Sequence, residues 1–328
     1  MTNEDLINRL RGAKAVRFLH RIIPLGRKYH PLLALLNKRQ GLIAVPFAES
    51  YVITPALWRK QMANYLLSGA DFIPEIKLIE PLFRKLDKGV ILDVGANTGL
   101  YVLLLRLYSS LPIIAYEPDP FLFKLLNQTI SYNGIENIAT KNLACADARS
   151  ELTFSMGINS SVLAENVSGT TPATEPASES NWDEEALVSQ SGNAIIKVPT
   201  VTLDEDLADL PSIALIKIDC EGYEYHILKG AKKLIDRHRP FLFLELHPTM
   251  LGNFQHTPEE VIDLLKPYYD LEYWCYQHHW PTTKLGRSIE KFKKSKAYQY
   301  KDEGEMLAEI NANSGISQVY LMASPKGK

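Results

Sequence analysis

The segment Val90-Ile91-Leu92-Asp93-Val94-Gly95-Ala96-Asn97-Thr98-Gly99 constrains the chain more than any other. An apolar run carrying one acid passes into a Gly-x-x-x-Gly turn, and the apolar stretch Leu100 to Leu107 follows. That order reads as buried strand, tight loop and helix start. Glycines in such a loop let backbone N–H groups approach a ligand with no Cβ in the way. A dinucleotide fingerprint, G-x-G-x-x-G, needs its middle glycine where the pyrophosphate approaches. Asn97 stands at that position. The loop therefore suits a nucleoside ligand without phosphates, which points to S-adenosylmethionine (SAM).

The rest of the chain alternates in the same manner. Strands are expected at 90–94, 112–117, 139–144, 214–218 and 241–245, with helices at 99–108, 120–133, 224–237 and 258–266. This alternation predicts an α/β fold with a mainly parallel sheet. The last two strands, 271–276 and 318–323, lack a clear helix between them and should run antiparallel at one edge. A short strand at 152–155 should pair with 195–201 as a hairpin. Between them, 157–192 is rich in Ser, Thr, Glu, Asn and Pro and reads as a mobile insertion. Residues 1–87 form a basic, helical extension, with helical candidates at 55–67 and 74–86, and 88–328 form the main domain.

In an open parallel sheet, ligands bind beyond the carboxyl ends of the strands, near the point where strand order reverses. Acids crowd that rim: Asp93, Glu117, Asp147, Asp219, Glu221 and Glu245, with His247 after them. Glu117 ends the second strand, where a carboxylate accepts both ribose hydroxyls, although Glu-Pro-Asp-Pro is also turn-like. Asp147 is placed either to accept from an adenine amino group or to be a solvated loop acid.

Several blocks together resemble the FkbM family of SAM-dependent methyltransferases. They are Asp93-Val-Gly-Ala-Asn-Thr-Gly99, Tyr116-Glu-Pro118, Thr202-Leu-Asp204, Ile216-Lys-Ile-Asp-Cys-Glu-Gly-Tyr-Glu224, Leu228-Lys-Gly-Ala231 and Phe243-Leu-Glu-Leu-His247. The similarity covers roughly 88–280. It implies a class I, Rossmann-like methyltransferase fold with a seven-stranded sheet and a reversed final hairpin. It also implies O-methylation of sugar or natural-product hydroxyls, with Asp93, Gly95, Asn97, Gly99 and Glu117 contacting SAM. The insertion and the basic prefix lie outside it.

Methyl transfer to a hydroxyl needs positioning and a general base. Asp219, Glu221, Glu245 and His247 are the candidates, with Asp219 or Glu245 favoured. Glu221 and Glu224 have a plain alternative role as acids at a helix N-terminus. The same four residues offer hard ligands for a divalent ion, but no metal-specific spacing accompanies them, so no metal is assigned. Trp274, Tyr276, His278, His279 and Trp280 make an aromatic cluster that suits either an acceptor pocket or a packed edge. The rival functions are an NAD-type oxidoreductase, against which Asn97 speaks, and a non-catalytic SAM-binding module.

Charge excludes a nucleic-acid partner for the whole chain, since the net charge is −2. It is uneven, however: nine Lys or Arg and no acid lie between Leu6 and Ala48. That stretch is either a solvated face or a peripheral contact with anionic membrane. The three separated cysteines and the lack of an apolar leader predict a cytoplasmic location.

Overall fold

The computed structural model describes residues 42–47, 50–55, 76–156, 161–163, 195–277, 296–312, 316 and 318–327. In chain order the elements are β1 (Leu42–Phe47), β2 (Ser50–Pro55), α1 (Ile76–Phe83), β3 (Val90–Val94), α2 (Leu100–Tyr108), β4 (Ile113–Tyr116), α3 (Pro120–Tyr132), β5 (Ile138–Lys141), β6 (Ala144–Cys145), β7 (Glu151–Ser155), β8 (Ser161–Val162), β9 (Ile195–Val201) and α4 (Leu203–Asp206). Then follow β10 (Ile213–Asp219), α5 (Glu224–Lys229), α6 (Lys232–His238), β11 (Phe241–Leu246), α7 (Pro248–Leu251), α8 (Pro258–Leu265), β12 (Tyr269–Gln277), β13 (Lys296–Gln299), α9 (Glu303–Ala312) and β14 (Val319–Pro325).

The main sheet has the order β13-β12-β14-β11-β10-β3-β4-β5. Strands β5, β4, β3, β10 and β11 are parallel neighbours, and β14 inserts antiparallel between β11 and β12. The chain thus winds outward from β3 in one direction, then from β10 in the other. That reversal point lies between β3 and β10, where the resemblance places the cofactor. The class I methyltransferase fold is the architecture observed.

Strand alternation sorts the sheet into two faces. Leu92, Val94, Ile216, Ile218, Leu242, Leu244 and Leu246 are buried in one cluster, which also takes in Ile227, Leu234 and Ile262 from α5, α6 and α8. Ile91, Leu215 and Phe243 are buried in another, with Leu103 to Leu105 of α2 and Ile79 and Leu82 of α1. Each fully buried Leu or Ile side chain contributes about 1.5–3 kcal/mol. The first face is apolar to the strand ends. The second turns polar there, at Asp93, Lys217, Asp219 and Glu245.

Five sequence expectations are corrected. The sheet has eight strands rather than seven, because β13 pairs with β12 beyond the expected edge. The connection from β12 to β14 also carries the helix α9. Part of the basic helical extension is instead a β-hairpin, with β1 and β2 antiparallel and in full register. This hairpin packs on α3, where Ile53 N–H donates to Thr129 Oγ1 at 3.0 Å. The expected strand 139–144 is two strands, β5 in the main sheet and β6 beside β9. Asn142 makes the break, its side-chain amide donating to the carbonyls of Glu117 and Pro118 at 2.8 and 2.9 Å. The expected helix 224–237 is broken at Gly230, where a Cβ would meet the Ala146 carbonyl oxygen at 1.9 Å. Asp204 then starts α6 by accepting from the N–H groups of Lys233 and Leu234. The hairpin of β7 with β9 is found as expected, Thr153 opposite Lys197.

Residues 1–41, most of the 157–192 insertion, all but the first residue of the 55–67 helical candidate and His278, His279 and Trp280 lie outside the described residues. Among the described residues, no helix is long and apolar enough to cross a membrane.

Candidate functional site

Register assembles the site. Lys217 of β10 lies directly opposite Asp93 of β3, and Asp219 lies directly opposite Glu245 of β11 on the last rung of the parallel pair. Because Lys217 and Asp219 are two residues apart, all four side chains start from one face. Lys217 Nζ is 3.1 Å from Asp93 Oδ1 and 3.6 Å from Asp219 Oδ2, and it donates to the Gly95 carbonyl at 2.9 Å. It also sits 4.5 Å from the centre of the Tyr101 ring. Burial alone would lower the lysine pKa, but Asp93 and Asp219 carry it above its ordinary value, so it stays charged. Sequence reading missed Lys217. Its signal was a single lysine inside an otherwise apolar strand, Ile213-Ala-Leu-Ile-Lys-Ile-Asp219.

The glycine loop does something other than its sequence implied. Gly95 and Ala96 both donate their N–H to the Tyr116 carbonyl, at 3.0 and 2.9 Å, and Gly99 donates to Ala96. Asn97 N–H donates to Glu117 Oε2 at 2.7 Å, and Thr98 N–H donates to Asn97 Oδ1 at 2.8 Å. All five loop amides are therefore spent within the loop and the end of β4. The expected array of N–H donors facing a ligand is absent, because the donors fasten β3 to β4 instead. Gly95 is required for a different reason: at φ 80° a Cβ there would lie 2.1 Å from the Asp219 carbonyl oxygen. The glycine lets the ends of β3 and β10 close together at the reversal point.

Glu117 is 3% exposed and receives N–H bonds on both oxygens, from Asn97 and from Asp119 at 2.9 Å. Burial and the neighbouring Asp119 push its carboxyl up to about 8, against those two donors, which favour the charged form. Once ionised, each oxygen keeps a second lone pair for a hydroxyl donor. Asp93 Oδ2 is buried with no hydrogen-bond partner. Acceptors dominate here, which fits a cationic, hydroxyl-bearing nucleoside and disfavours a phosphate.

Asp147 follows β6 and pairs with Lys229 Nζ at 3.1 Å and His226 Nδ1 at 3.4 Å, both on α5. Burial would raise its pKa, but these two partners hold it below the usual carboxylate value.

Beyond β10 and β11 the remaining candidates converge on His247, which is 5% exposed. Glu224, fully buried at the start of α5, has Oε1 2.9 Å from His247 Nδ1 and 3.0 Å from the Gly222 N–H. His247 Nε2 points to the other acids, 3.6 Å from Glu221 Oε2 and 3.7 Å from Glu245 Oε1. One ligand atom each of Asp219, Glu245 and His247 lie within 4.8 Å of one another. Burial would lower the His247 pKa, but Glu224, Asp219 and Glu245 raise it to about 9. Burial and the neighbouring acids raise Glu221, with His247 opposing. Of the sequence candidates, Asp219, Glu221, Glu245 and His247 are thus brought together, with Asp93 joined to them through Lys217 and Glu117 joined to the loop. Glu224, set aside in the sequence as a first-turn acid, is a buried partner of the histidine.

The sequence profile of the Methyltransferase FkbM domain matches residues 93–273. "Methyltransferase 1" of Beauveria bassiana (strain ARSEF 2860) is 27% identical over 152 residues, which cover 44% of this chain and 59% of that protein. Among solved structures, a methyltransferase FkbM from Methylobacillus flagellatus KT has a TM-score of 0.35 at 15% identity, covering 73% of this chain and 62% of that one. A precorrin-6y C5,15-methyltransferase from Geobacter metallireducens GS-15 has a TM-score of 0.37 at 12% identity, covering 76% and 86%. The profile takes in more than half of the 328 residues and runs from the acid of β3 into β12. With Asp93, Asp219, Glu245 and His247 all inside that span, the chain belongs to the FkbM methyltransferase family.

Proposed function

We propose that the chain transfers a methyl group from SAM to a hydroxyl of a sugar in a glycan, a glycolipid or a natural product. SAM supplies the electrophilic methyl group when bound. Glu117 would hold the ribose hydroxyls, and Asp93 and the Gly95–Gly99 loop would line the side nearest the cofactor's amino acid end. The observation that carries the reading is the paired rung Asp219–Glu245, two carboxylates at the mouth of the reversal point. Either is placed to take the hydroxyl proton as the new carbon–oxygen bond forms. The charged Lys217, 3.6 Å away, holds Asp219 in place.

An NAD-type oxidoreductase has less support. A pyrophosphate needs free backbone donors, and the loop has spent its own on Tyr116, Glu117, Asn97 and Ala96. The deciding measurement is calorimetric titration of the full chain with SAM, its demethylated product and NAD. Binding of the first two is expected, and binding of NAD alone would end this reading. For the chemistry, Asp219→Asn and Glu245→Gln are compared on a panel of hydroxylated acceptors. Loss of the base costs about 10²–10⁴ in turnover. Unchanged turnover in both variants removes the carboxylate from the mechanism. The acceptor class is tested by mass spectrometry of glycans from cells with and without the gene, which should reveal a lost methyl group.

A further inference from the structure

We infer that Asp219, Glu245 and His247 form a binding site for one divalent cation of the Mg²⁺ or Mn²⁺ class, with Glu221 at its edge and Glu224 fixing the histidine from behind. The site itself stands on the geometry of the strand ends. Its use, to lower the pKa of an acceptor hydroxyl, rests on the methyl-transfer reading above.

Three observations carry it. The first is register: Asp219 and Glu245 are opposed on neighbouring parallel strands, so their carboxylates are delivered side by side with no loop to position them. The second is the histidine. Its side chain is 6% exposed, Nδ1 is engaged by the fully buried Glu224, and Nε2 is aimed into the cluster at 3.6 and 3.7 Å from carboxylate oxygens, beyond hydrogen-bond length. A carboxylate behind one ring nitrogen and an open coordination position at the other is the arrangement of a metal-binding histidine. The third is charge. Asp219, Glu221, Glu224 and Glu245 lie around one imidazole, and Lys217 shares its single charge between Asp93 at 3.1 Å and Asp219 at 3.6 Å. A divalent ion among them would balance these acids.

The dimensions agree. The three ligand atoms lie within 4.8 Å of one another. An octahedral ion with bonds of about 2.1 Å holds adjacent ligands about 3 Å apart, a contraction within reach of side-chain rotation. Two or three carboxylates and one imidazole form a hard ligand set, which favours Mg²⁺ or Mn²⁺ over thiophilic ions. The remaining positions stay open for water or a hydroxyl.

Mn²⁺ titrated into the chelator-stripped full chain and followed by electron paramagnetic resonance tests the site. One tightly bound Mn²⁺ per chain is expected, with electron–nuclear coupling to a single imidazole nitrogen. His247→Ala and Asp219→Asn should each weaken binding by at least about tenfold, and Glu224→Ala by about ten- to a hundredfold. Should the variants unfold, the nitrogen coupling in the wild-type chain still decides. Weak binding that no variant alters, or bound Mn²⁺ without nitrogen coupling, overturns the inference. Calorimetry with SAM in the presence of chelator separates the two ideas. SAM bound without a Mn²⁺ site refutes the cation alone, and a Mn²⁺ site without SAM binding refutes the cofactor reading alone.

Discussion

Lys217 Nζ lies 3.1 Å from Asp93 Oδ1, with the two side chains 3% and 0% exposed. The pair joins β10 to β3 across the reversal point and fixes the Gly95 carbonyl as well. Removing one partner of a buried ion pair leaves an uncompensated charge, which costs about 3–5 kcal/mol. Lys217→Met is therefore expected to lower unfolding free energy by that amount in urea titration. The double variant Lys217→Met/Asp93→Asn should regain part of the loss, because the charge stranded at Asp93 is then gone. A cost below about 1 kcal/mol for the single variant would mean that the pair does not hold the strand ends together.

Gly95→Ala introduces a methyl 2.1 Å from the Asp219 carbonyl oxygen, at a φ of 80° that alanine avoids. Backbone cannot yield there cheaply, since Gly95 N–H is bonded to Tyr116 and its carbonyl to Lys217. The expected outcome is a stability loss of at least about 2 kcal/mol by strain and a loss of SAM affinity measured by calorimetry. Near-wild-type values for both would show that β3 and β10 need not approach this closely.

Glu117 sets a pH dependence. Its folded pKa is pushed up to about 8, well above the ordinary glutamate value. The folded chain then binds more protons than the unfolded chain between those two values. Its contribution to stability is full below about pH 4.5 and is lost as the pH rises through about 8, for a total of roughly 3–5 kcal/mol. His247, raised to about 9, adds a slope of the same sign at higher pH. The test is thus a difference. Melting temperatures of chelator-treated chain without SAM should fall between pH 6 and pH 9, and fall less steeply in Glu117→Gln. Parallel curves would show that Glu117 is ionised throughout.

The parts of this fold that could be read in advance are those where neighbouring residues decide. Val90 to Val94 and Phe241 to Leu246 are apolar runs that end in acids or at a His-Pro step, and both are strands at the site. What could not be read depends on partners distant in sequence. Lys217 looks like a solvent-facing residue until Asp93, more than a hundred residues earlier, is placed opposite it. Gly230 looks like an ordinary helix residue until Ala146 is packed against it. Asn142 ends β5 only because the carbonyls of Glu117 and Pro118 come within reach. The glycine loop misled in a subtler way. Its spacing predicted free amides, but Tyr116 and Glu117 of the next strand take them. For the candidate base, sequence narrowed the choice to four residues, and the strand register and the partners of His247 bring those four together.

Glu224 separates a positioning role from a merely structural one. Its Oε1 holds both the His247 ring and the Gly222 N–H, and the side chain is fully buried. Glu224→Ala leaves those two groups unpaired, at about 1–3 kcal/mol for each buried donor. It also frees the imidazole to rotate away from Asp219 and Glu245. The expected kinetic result is a turnover lower by about ten- to a hundredfold, with the KM for SAM unchanged, since Glu117 and Asp93 are untouched. Glu224→Gln keeps an acceptor for the ring and should recover most of that loss. Steady-state kinetics on the three proteins at a pH near 7 gives the answer. If Ala and Gln lose turnover equally, or if KM rises with kcat held constant, Glu224 is not orienting the histidine for the chemical step.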